Sequence, residues 1–264
     1  MSPHLLIKRE GATERWTLND PATRNALTDA LVQALMQACT RASADASLRF
    51  IVLTGAGGAF CAGGSLGSFA ESIGQALLPG EPDPLVPMNR SFGTLLQALC
   101  ALPQIVIAQV EGPAMGGGLG LVCCADFVLA ADTAVFATPE VTLGVVPAQI
   151  APFVLRRLGD RAARQMLLTG RKFSAAQAQA LGLVDAVLAP AELAAAVQKQ
   201  LAQLHVAAPG AVAAAKNLIS EANTAYAIAL LDDAAIKFAA NLRSPEAAEG
   251  LAAFAHKRKP EWAL

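Results

Sequence analysis

Residues 109–147 read QVEGPAMGGGLGLVCCADFVLAADTAVFATPEVTLGVVP. They begin at the end of an apolar run, Ile105 to Val110, whose β-branched residues predict a strand. Gly112-Pro113 marks a turn, and glycines 116 to 118 then lead into an apolar segment that predicts a helix. A glycine-rich turn of this kind leaves backbone N–H groups at the start of the helix, where a negatively charged oxygen can bind.

A second glycine-rich turn lies earlier in the chain. Residues 55–67 read GAGGAFCAGGSLG and directly follow another predicted strand, Phe50 to Thr54. Either turn alone is equally compatible with an ordinary strand-to-helix connection. Together they could place two amides on one oxygen, which is the construction of an oxyanion hole.

The composition is that of a globular protein with a large core. Of the 264 residues, 54% are hydrophobic and 16% charged, and the formal net charge of −1 gives no support for a nucleic-acid or membrane-surface partner. The first residues contain no apolar segment after a basic start, which a signal peptide would require, and no apolar run reaches the roughly 18 residues that would suggest a membrane span. We therefore expect a cytoplasmic protein with no nucleic-acid partner and no membrane partner.

Cysteines and histidines do not form a recognisable cluster. The five cysteines follow neither disulfide nor metal-site spacing, and the three histidines are far apart in the chain. We therefore expect no metal and no bound cofactor. The residues concerned are Cys39, Cys61, Cys100, Cys123, Cys124, His4, His205 and His256.

The N-terminal part predicts a hairpin followed by a helix. Leu5 to Lys8 and Arg15 to Leu18 read as two strands, and Thr28 is a good N-cap for a helix over residues 29–43. With the strand at Phe50 this gives a β-β-α unit, whose outline is then repeated along the chain.

Two later regions depart from this outline. Residues 65–90 are rich in proline and predict a loop beside the first glycine turn, which either lines a substrate site or is an insertion without function. We expect a helix only from Ser91. From residue 190 onward the pattern is almost wholly helical, so we divide the chain into a core domain, 1–190, and a helical C-terminal region, 191–264.

Three segments in this order resemble the crotonase superfamily, also called the enoyl-CoA hydratase/isomerase family. They are VLTGAGGAFCAGG at 52–64, EGPAMGGGLGLVCCAD at 111–126 and TPEVTLGVVP at 138–147, and the resemblance extends to PATRNAL at 21–27 and FAHKRKP at 254–260. It implies an α/β fold, a spiral of repeated β-β-α units with a helical C-terminal trimerisation region. It also implies a homo-trimer, or a hexamer built as a dimer of trimers, that acts on acyl-CoA thioesters.

The resemblance assigns the catalytic groups residue by residue. The amides of Gly64 and Gly117 match the oxyanion hole that stabilises charge on a thioester carbonyl oxygen, and Glu140 matches the general acid/base. A carboxyl group in an apolar pocket has a raised pKa, which suits proton transfer near neutral pH. Cys61 has no matched histidine partner, so we do not expect a thiol nucleophile.

The family pattern also implies where coenzyme A binds. Arg24, Ala26 and Ala62 would border its nucleotide and pantetheine, and Lys257 would face its phosphates. Arg24 could equally be an exposed loop charge, and Lys257 could equally belong to a solvated basic tail.

One position departs from the typical hydratase. Gly120 stands where many relatives carry a second glutamate, which leaves a hydratase with one carboxylate or a Δ3-Δ2 isomerase as the reasonable enzymes. The segment at 144–153 is similar to bacterial hydratases of 3-methylglutaconyl-CoA and isohexenylglutaconyl-CoA. A glycine at 120 would remove repulsion against a substrate carboxylate and leave volume for a branch.

We therefore expect a hydratase of a branched, carboxylated 2-enoyl-CoA. Arg90, Arg156 and Arg157 are candidates to pair with the substrate carboxylate. The alternatives are the isomerase and a catalytically weak acyl-CoA-binding relative.

Overall fold

A computed structural model of the chain describes residues 3–65, 80–224 and 227–261. Within these ranges the strands are β1 (Leu5–Glu10), β2 (Thr13–Leu18), β3 (Phe50–Gly55), β4 (Ile105–Val110), β5 (Ala114–Met115), β6 (Phe127–Ala131), β7 (Val135–Ala137), β8 (Phe173–Ser174) and β9 (Ala186–Leu188). The helices are α1 (Asp29–Ser43), α2 (Leu85–Cys100), α3 (Gly117–Cys124), α4 (Ala151–Thr169), α5 (Ala175–Ala180), α6 (Pro190–Leu204), α7 (Pro209–Thr224), α8 (Ala227–Leu242) and α9 (Pro245–Ala255). None of the helices in these ranges is long and apolar enough to cross a membrane.

A six-stranded sheet forms the first layer of the fold. Its order is β1-β2-β3-β4-β6-β9, with β1 and β2 antiparallel and the remaining neighbours parallel. The central strands β3 and β4 are almost wholly apolar and buried, as parallel strands covered on both faces require. The predicted hairpin is confirmed, and Gly11 supplies the positive φ of its turn.

A second layer is formed by the short extended segments that come after the long strands in the chain. Short strands β5, β7 and β8 form a three-stranded sheet, and isolated parallel bridges join Leu27 to Gly64 and Cys61 to Ala114. Each unit thus passes from a long strand to a short extended segment and then to a helix. The predicted spiral of β-β-α units is confirmed.

Helices cover both faces of the large sheet. The main core lies between that sheet and α1 to α3, and contains fully buried Trp16, Leu35 and Leu119. On the other face, α6 buries Leu193 and Val197 against β3, β4 and β6. The helical pattern predicted after residue 190 is confirmed by α6 to α9, and the division of the chain at 190 stays a prediction.

The prediction for residues 65–90 was partly wrong. Residues 66–79 lie outside the described part of the chain, but α2 already begins at Leu85, six residues before the expected Ser91. Pro87 is tolerated because it stands in the first turn, where backbone N–H groups have no partner within the helix. Asp83 supplies the cap that proline cannot, since its carboxylate accepts a hydrogen bond from the Leu85 amide at 2.9 Å.

Candidate active site

A cavity of about 310 Å³ lies where the glycine turns meet α2 and the C-terminal helices. Its wall is mainly apolar, and aromatic rings come from three helices: Phe92 of α2, Phe238 of α8 and Phe254 of α9. Gly64, Gly117 and Glu140 all line it. The fold thus brings the three predicted catalytic residues, 53 and 23 positions apart in the sequence, to one cavity.

The two glycine-rich turns are joined directly. The Met115 amide donates to the carbonyl of buried Cys61 at 2.9 Å. A Cβ atom built on Gly63 would lie 3.5 Å from the Gly117 nitrogen, so the turns are in van der Waals contact. Neither the Gly64 nor the Gly117 amide donates a hydrogen bond to another group in the described ranges.

Gly117 is a glycine because the wall of the cavity approaches its backbone. A Cβ atom there would lie 2.6 Å from Leu27 Cδ1 and 3.1 Å from Phe92 Cζ. Gly117 is also the first residue of α3, where its N–H points away from the helix and carries the positive end of the helix dipole. A ligand oxygen can therefore reach the Gly117 N–H, and the positive end of the helix dipole favours an oxygen that carries negative charge.

Glu140 is held over the start of α3 by a short 3-10 helix, Pro139–Leu143. Its Oε1 lies 2.7 Å from the Cβ position of Gly116, whose φ of +50° also favours glycine. Its Oε2 is buried and has no hydrogen-bond partner in the described part of the chain. Burial raises the pKa of Glu140 to about 7, with its own backbone amide acting weakly in the opposite direction.

Cys61, beside the first turn, is not available as a nucleophile. Burial raises the pKa of its thiol to about 12, and the Gly63 amide lies 3.5 Å from its sulfur. The thiol therefore stays protonated at neutral pH. This agrees with the expectation from sequence.

The structure places only some of the residues assigned to coenzyme A at or beside the cavity. Ala62 lines the cavity, and its amide donates to the Arg24 carbonyl at 2.9 Å, which places Arg24 and Ala26 beside the cavity rim. Lys257 lies in the turn after α9 with a φ of +52° and does not line the cavity. Its role, like those of Arg24 and Ala26, stays a prediction.

The room expected beside Gly120 is already filled. A Cβ atom at position 120 would lie 2.6 Å from Ile150 Cγ2 and 3.5 Å from Leu96 Cδ1. Ile150 also lines the cavity, so an apolar side chain takes the place where a second carboxylate would project. The expectation that Gly120 itself leaves volume for a branch was therefore wrong.

The candidate arginines are engaged elsewhere. Arg90 Nε donates to Asp232 Oδ1 at 2.6 Å, and Arg156 donates to the Cys100 sulfur. Arg157 binds the carbonyls of Ala125 and Leu183 and so ties α4 to the sheet. None of the three arginines is part of the cavity wall.

Sequence reasoning missed two groups of residues. Asn25 is fully buried, and its amide donates to the carbonyls of Ala56 and Ala59, which fixes PATRNAL against the first glycine turn. Asn25 has a positive φ, which asparagine tolerates. An asparagine within the turn-rich motif PATRNAL was therefore the feature of the sequence that could have indicated this role. Asn89 and Gln149 also line the cavity, and no sequence pattern pointed to them.

Among the described residues, no three His, Cys, Asp or Glu side chains are grouped so that they could hold a metal ion. The other acidic residue in the cavity wall is Asp29, which is exposed at the start of α1. In the described part of the cavity wall, Glu140 is therefore the acidic residue whose carboxyl group is buried.

Comparison with known proteins gives consistent results. The family model for enoyl-CoA hydratase/isomerase matches residues 9–263. Carnitinyl-CoA dehydratase of Proteus mirabilis is 34% identical over 99% of both chains, and 2,3-dehydroadipyl-CoA hydratase of Escherichia coli is 33% identical over 98% of both.

Solved structures agree with this assignment. An enoyl-CoA hydratase/isomerase from Marinobacter aquaeolei is 42% identical with a TM-score of 0.78 and covers 99% of both chains. Pseudomonas aeruginosa AtuE has the same identity and TM-score over 99% of this chain and 100% of its own. The prediction of an enzyme of the enoyl-CoA hydratase type is confirmed, and the chain belongs to the enoyl-CoA hydratase/isomerase family.

Proposed function

We propose that this enzyme adds water across the double bond of a branched, carboxylated 2-enoyl-CoA, such as 3-methylglutaconyl-CoA or isohexenylglutaconyl-CoA. The observation that carries the proposal is the position of Glu140. It is a buried carboxyl group with a pKa near 7, in the same cavity as two glycine amides that donate to no described group. A preorganised pair of N–H donors and one acid/base is the equipment that hydration of a conjugated thioester requires.

The Gly64 and Gly117 amides would bind the thioester carbonyl oxygen. When a nucleophile attacks C3, negative charge moves through the conjugated system onto that oxygen. Two fixed N–H groups in an apolar cavity stabilise this charge by several kcal/mol, because they need no reorganisation during the reaction. The dipole of α3 acts in the same direction at Gly117.

Glu140 would carry both proton transfers. As a carboxylate it takes a proton from a water molecule whose oxygen bonds to C3. The same proton, or one exchanged on the resulting carboxylic acid, then moves to C2, and the carbonyl oxygen loses its negative charge. Atoms balance as one water added, and Glu140 returns to its ionised form.

The acyl substrate is proposed from the sequence and from the cavity wall. The segment at 144–153 is similar to hydratases of branched glutaconyl thioesters, and several of its residues line the cavity. A relative named 2,3-dehydroadipyl-CoA hydratase is 33% identical. The acyl chain of 2,3-dehydroadipyl-CoA also ends in a carboxylate.

For coenzyme A, we propose that Arg24, Ala26 and Ala62 border the nucleotide and pantetheine, as the family pattern implies. Lys257 would reach the phosphates of a neighbouring subunit's ligand, because it lies outside the cavity wall of its own chain. We also propose that the chain forms a homo-trimer, or a hexamer built as a dimer of trimers.

A Δ3-Δ2 enoyl-CoA isomerase is the second candidate. The observation that favours it is Ile150, which fills the space beside Gly120 where a second carboxylate would help to hold water. A single Glu140 could remove a proton from C2 of a 3-enoyl thioester and return it to C4. The product would then have the mass of the substrate.

Replacement of Glu140 tests the proposed role. We expect Glu140→Gln and Glu140→Ala to lower kcat by at least about 100-fold, because a general acid/base contributes roughly 10² to 10⁴ and the other carboxyl group of the described cavity wall, that of Asp29, is exposed. Affinity for butyryl-CoA, which cannot be hydrated, should change by less than about threefold.

Asp29→Asn is the matched control, because it removes the exposed carboxylate of the same cavity and should keep kcat within a few-fold of the wild type. Turnover by Glu140→Gln close to that of the wild type would exclude Glu140 as the acid/base. Wild-type binding of acyl-CoA without turnover of any enoyl thioester would instead identify a catalytically weak binding protein.

A further inference from the structure

Two neutral amide side chains, Asn89 and Gln149, interrupt the apolar wall of the cavity. Asn89 lies on α2, and Gln149 lies in the segment before α4 and is 2% exposed. Amide groups in an apolar cavity cost free energy unless they find partners.

The orientation of Gln149 is fixed by a group that can only accept. Its Nε2 lies 3.0 Å from the Leu231 carbonyl oxygen of α8, so the amide nitrogen must face that oxygen. Gly93 makes room for the other side of the amide, because a Cβ atom at position 93 would lie 1.9 Å from Gln149 Oε1. That Oε1 is buried and has no partner in the described part of the chain.

The orientation of Gln149 determines that of Asn89. The second hydrogen on Gln149 Nε2 points to Asn89 Oδ1, at 2.9 Å, so Asn89 must present its oxygen to Gln149. Its amino group is then turned the other way. In the described ranges this Nδ2 donates to no acceptor, and Asn89 is half-buried in the cavity wall.

The position of Asn89 suits the far end of a short acyl chain. Asn89 precedes Phe92 by three residues on the same face of α2, and the Phe92 ring lies beside Gly117. One helical turn therefore separates Asn89 from the ring that covers the glycine, about 4.5 Å along the axis.

A substrate carboxylate has no cation to bind in this cavity. No lysine, arginine or histidine lines it in the described part of the chain, and residues 66–79, 225–226 and 262–264 contain none either. Arg90, on the next position of α2, is already paired with Asp232. A buried carboxylate is then stabilised by hydrogen-bond donors. The hydroxyls of Ser91 and Thr142 in the same wall already donate to the Met88 and Pro139 carbonyls, so the Asn89 amino group is the side-chain donor of the described wall that has no acceptor.

We propose that Asn89, held by Gln149 and the Leu231 carbonyl, is the hydrogen-bond donor that receives the acyl-chain carboxylate and selects carboxylated enoyl thioesters. This inference rests on the proposed hydratase function. Asn89 is the specificity-determining residue, and Gln149 is a positioning residue that acts through it.

The test compares two thioesters that share a branch and differ in the carboxylate: 3-methylglutaconyl-CoA and 3-methylcrotonyl-CoA. The measured quantity is the ratio of their kcat/KM values. Asn89→Asp keeps the oxygen that faces Gln149 and replaces the donor with an anionic acceptor, so it should lower the ratio at least tenfold. Asn89→Leu should lower it about tenfold, since it removes the donor without adding charge.

Gln149→Leu tests the positioning role of Gln149. It frees Asn89 to rotate, so it should lower the ratio by less than Asn89→Leu, and the double variant should match Asn89→Leu alone. Asn217→Asp, on the exposed face of α7, is the charge-matched control and should leave the ratio at the wild-type value.

The outcomes separate the two proposals. A wild type that hydrates neither of these thioesters, nor isohexenylglutaconyl-CoA, would remove the proposed function and this inference with it. If the wild type hydrates both thioesters and no Asn89 variant changes the ratio of their kcat/KM values, the hydratase function would be supported and the proposed role of Asn89 would be wrong.

Discussion

Burial of Glu140 links the activity of the enzyme to its stability. Burial raises the pKa of this carboxyl group from its ordinary 4.5 to about 7. Hydration needs the carboxylate as base, so kcat/KM should fall about tenfold per pH unit below pH 7. A pH profile of kcat/KM that stays flat down to pH 5 would contradict this.

The same shift predicts a cost in stability. Between pH 4.5 and 7 the folded chain holds a proton on Glu140 that the unfolded chain has released, so the contribution of this group is full below pH 4.5 and is lost as pH rises through 7. Glu140→Gln should therefore gain up to about 3 kcal/mol relative to the wild type between pH 4.5 and pH 8. Urea unfolding of both proteins at pH 5 and pH 8 measures this gain, and an equal difference at both pH values would count against the raised pKa.

Gly116 makes a second prediction at the scale of one residue. Gly116→Ala should lower kcat at least tenfold, because the new Cβ would displace Glu140 Oε1 from 2.7 Å. It should also destabilise the fold by at least about 1–2 kcal/mol, because the φ of +50° and ψ of −118° at Gly116 lie outside even the left-handed helical region. Gly11→Ala is the control, since Gly11 has a φ of +59° and nothing within 4 Å of its Cβ position. Gly11→Ala should lose stability but no activity. If Gly116→Ala kept the same activity as Gly11→Ala, the contact between position 116 and Glu140 would have no role in catalysis.

At the scale of elements, the junction of α3 with Ile150 explains why position 120 is a glycine. Gly120→Ala should destabilise the protein by about 1–3 kcal/mol through contact with Ile150, although alanine's helical preference offsets about 1 kcal/mol. Ile150→Ala should remove that contact. In a double-mutant cycle by urea unfolding, the two losses should therefore sum to at least about 1 kcal/mol more than the loss of the double variant. Additive losses would mean that the two side chains do not compete for the same space.

Sequence patterns identified most elements but not the start of α2. Thr28 accepts a hydrogen bond from the Leu31 amide, as the sequence indicated. Prolines at 82, 84 and 87 indicated a loop instead of a helix start. A proline in the first turn breaks no helical hydrogen bond, and only the structure distinguishes that turn from a loop. Asn89 was missed for this reason.

At the scale of the whole molecule, the spiral explains which parts of the site could be foreseen. Gly64, Gly117 and Glu140 each follow a short extended segment, so a repeated unit places them near one another. The aromatic wall could not be foreseen, because the apolar periodicity of α8 and α9 indicates a buried face without saying what covers it. Phe238 and Phe254 reach the cavity only through the docking of these helices against α2 and the 3-10 helix at 139–143.

The product of the reaction tests the central claim most directly. The purified protein is incubated separately with 3-methylglutaconyl-CoA, isohexenylglutaconyl-CoA, crotonyl-CoA and a 3-enoyl-CoA, and the thioesters are analysed by mass spectrometry. We predict the gain of one water on a glutaconyl thioester, faster than on crotonyl-CoA. A double bond moved at constant mass, with no hydration of any substrate, would contradict the hydratase and identify the isomerase.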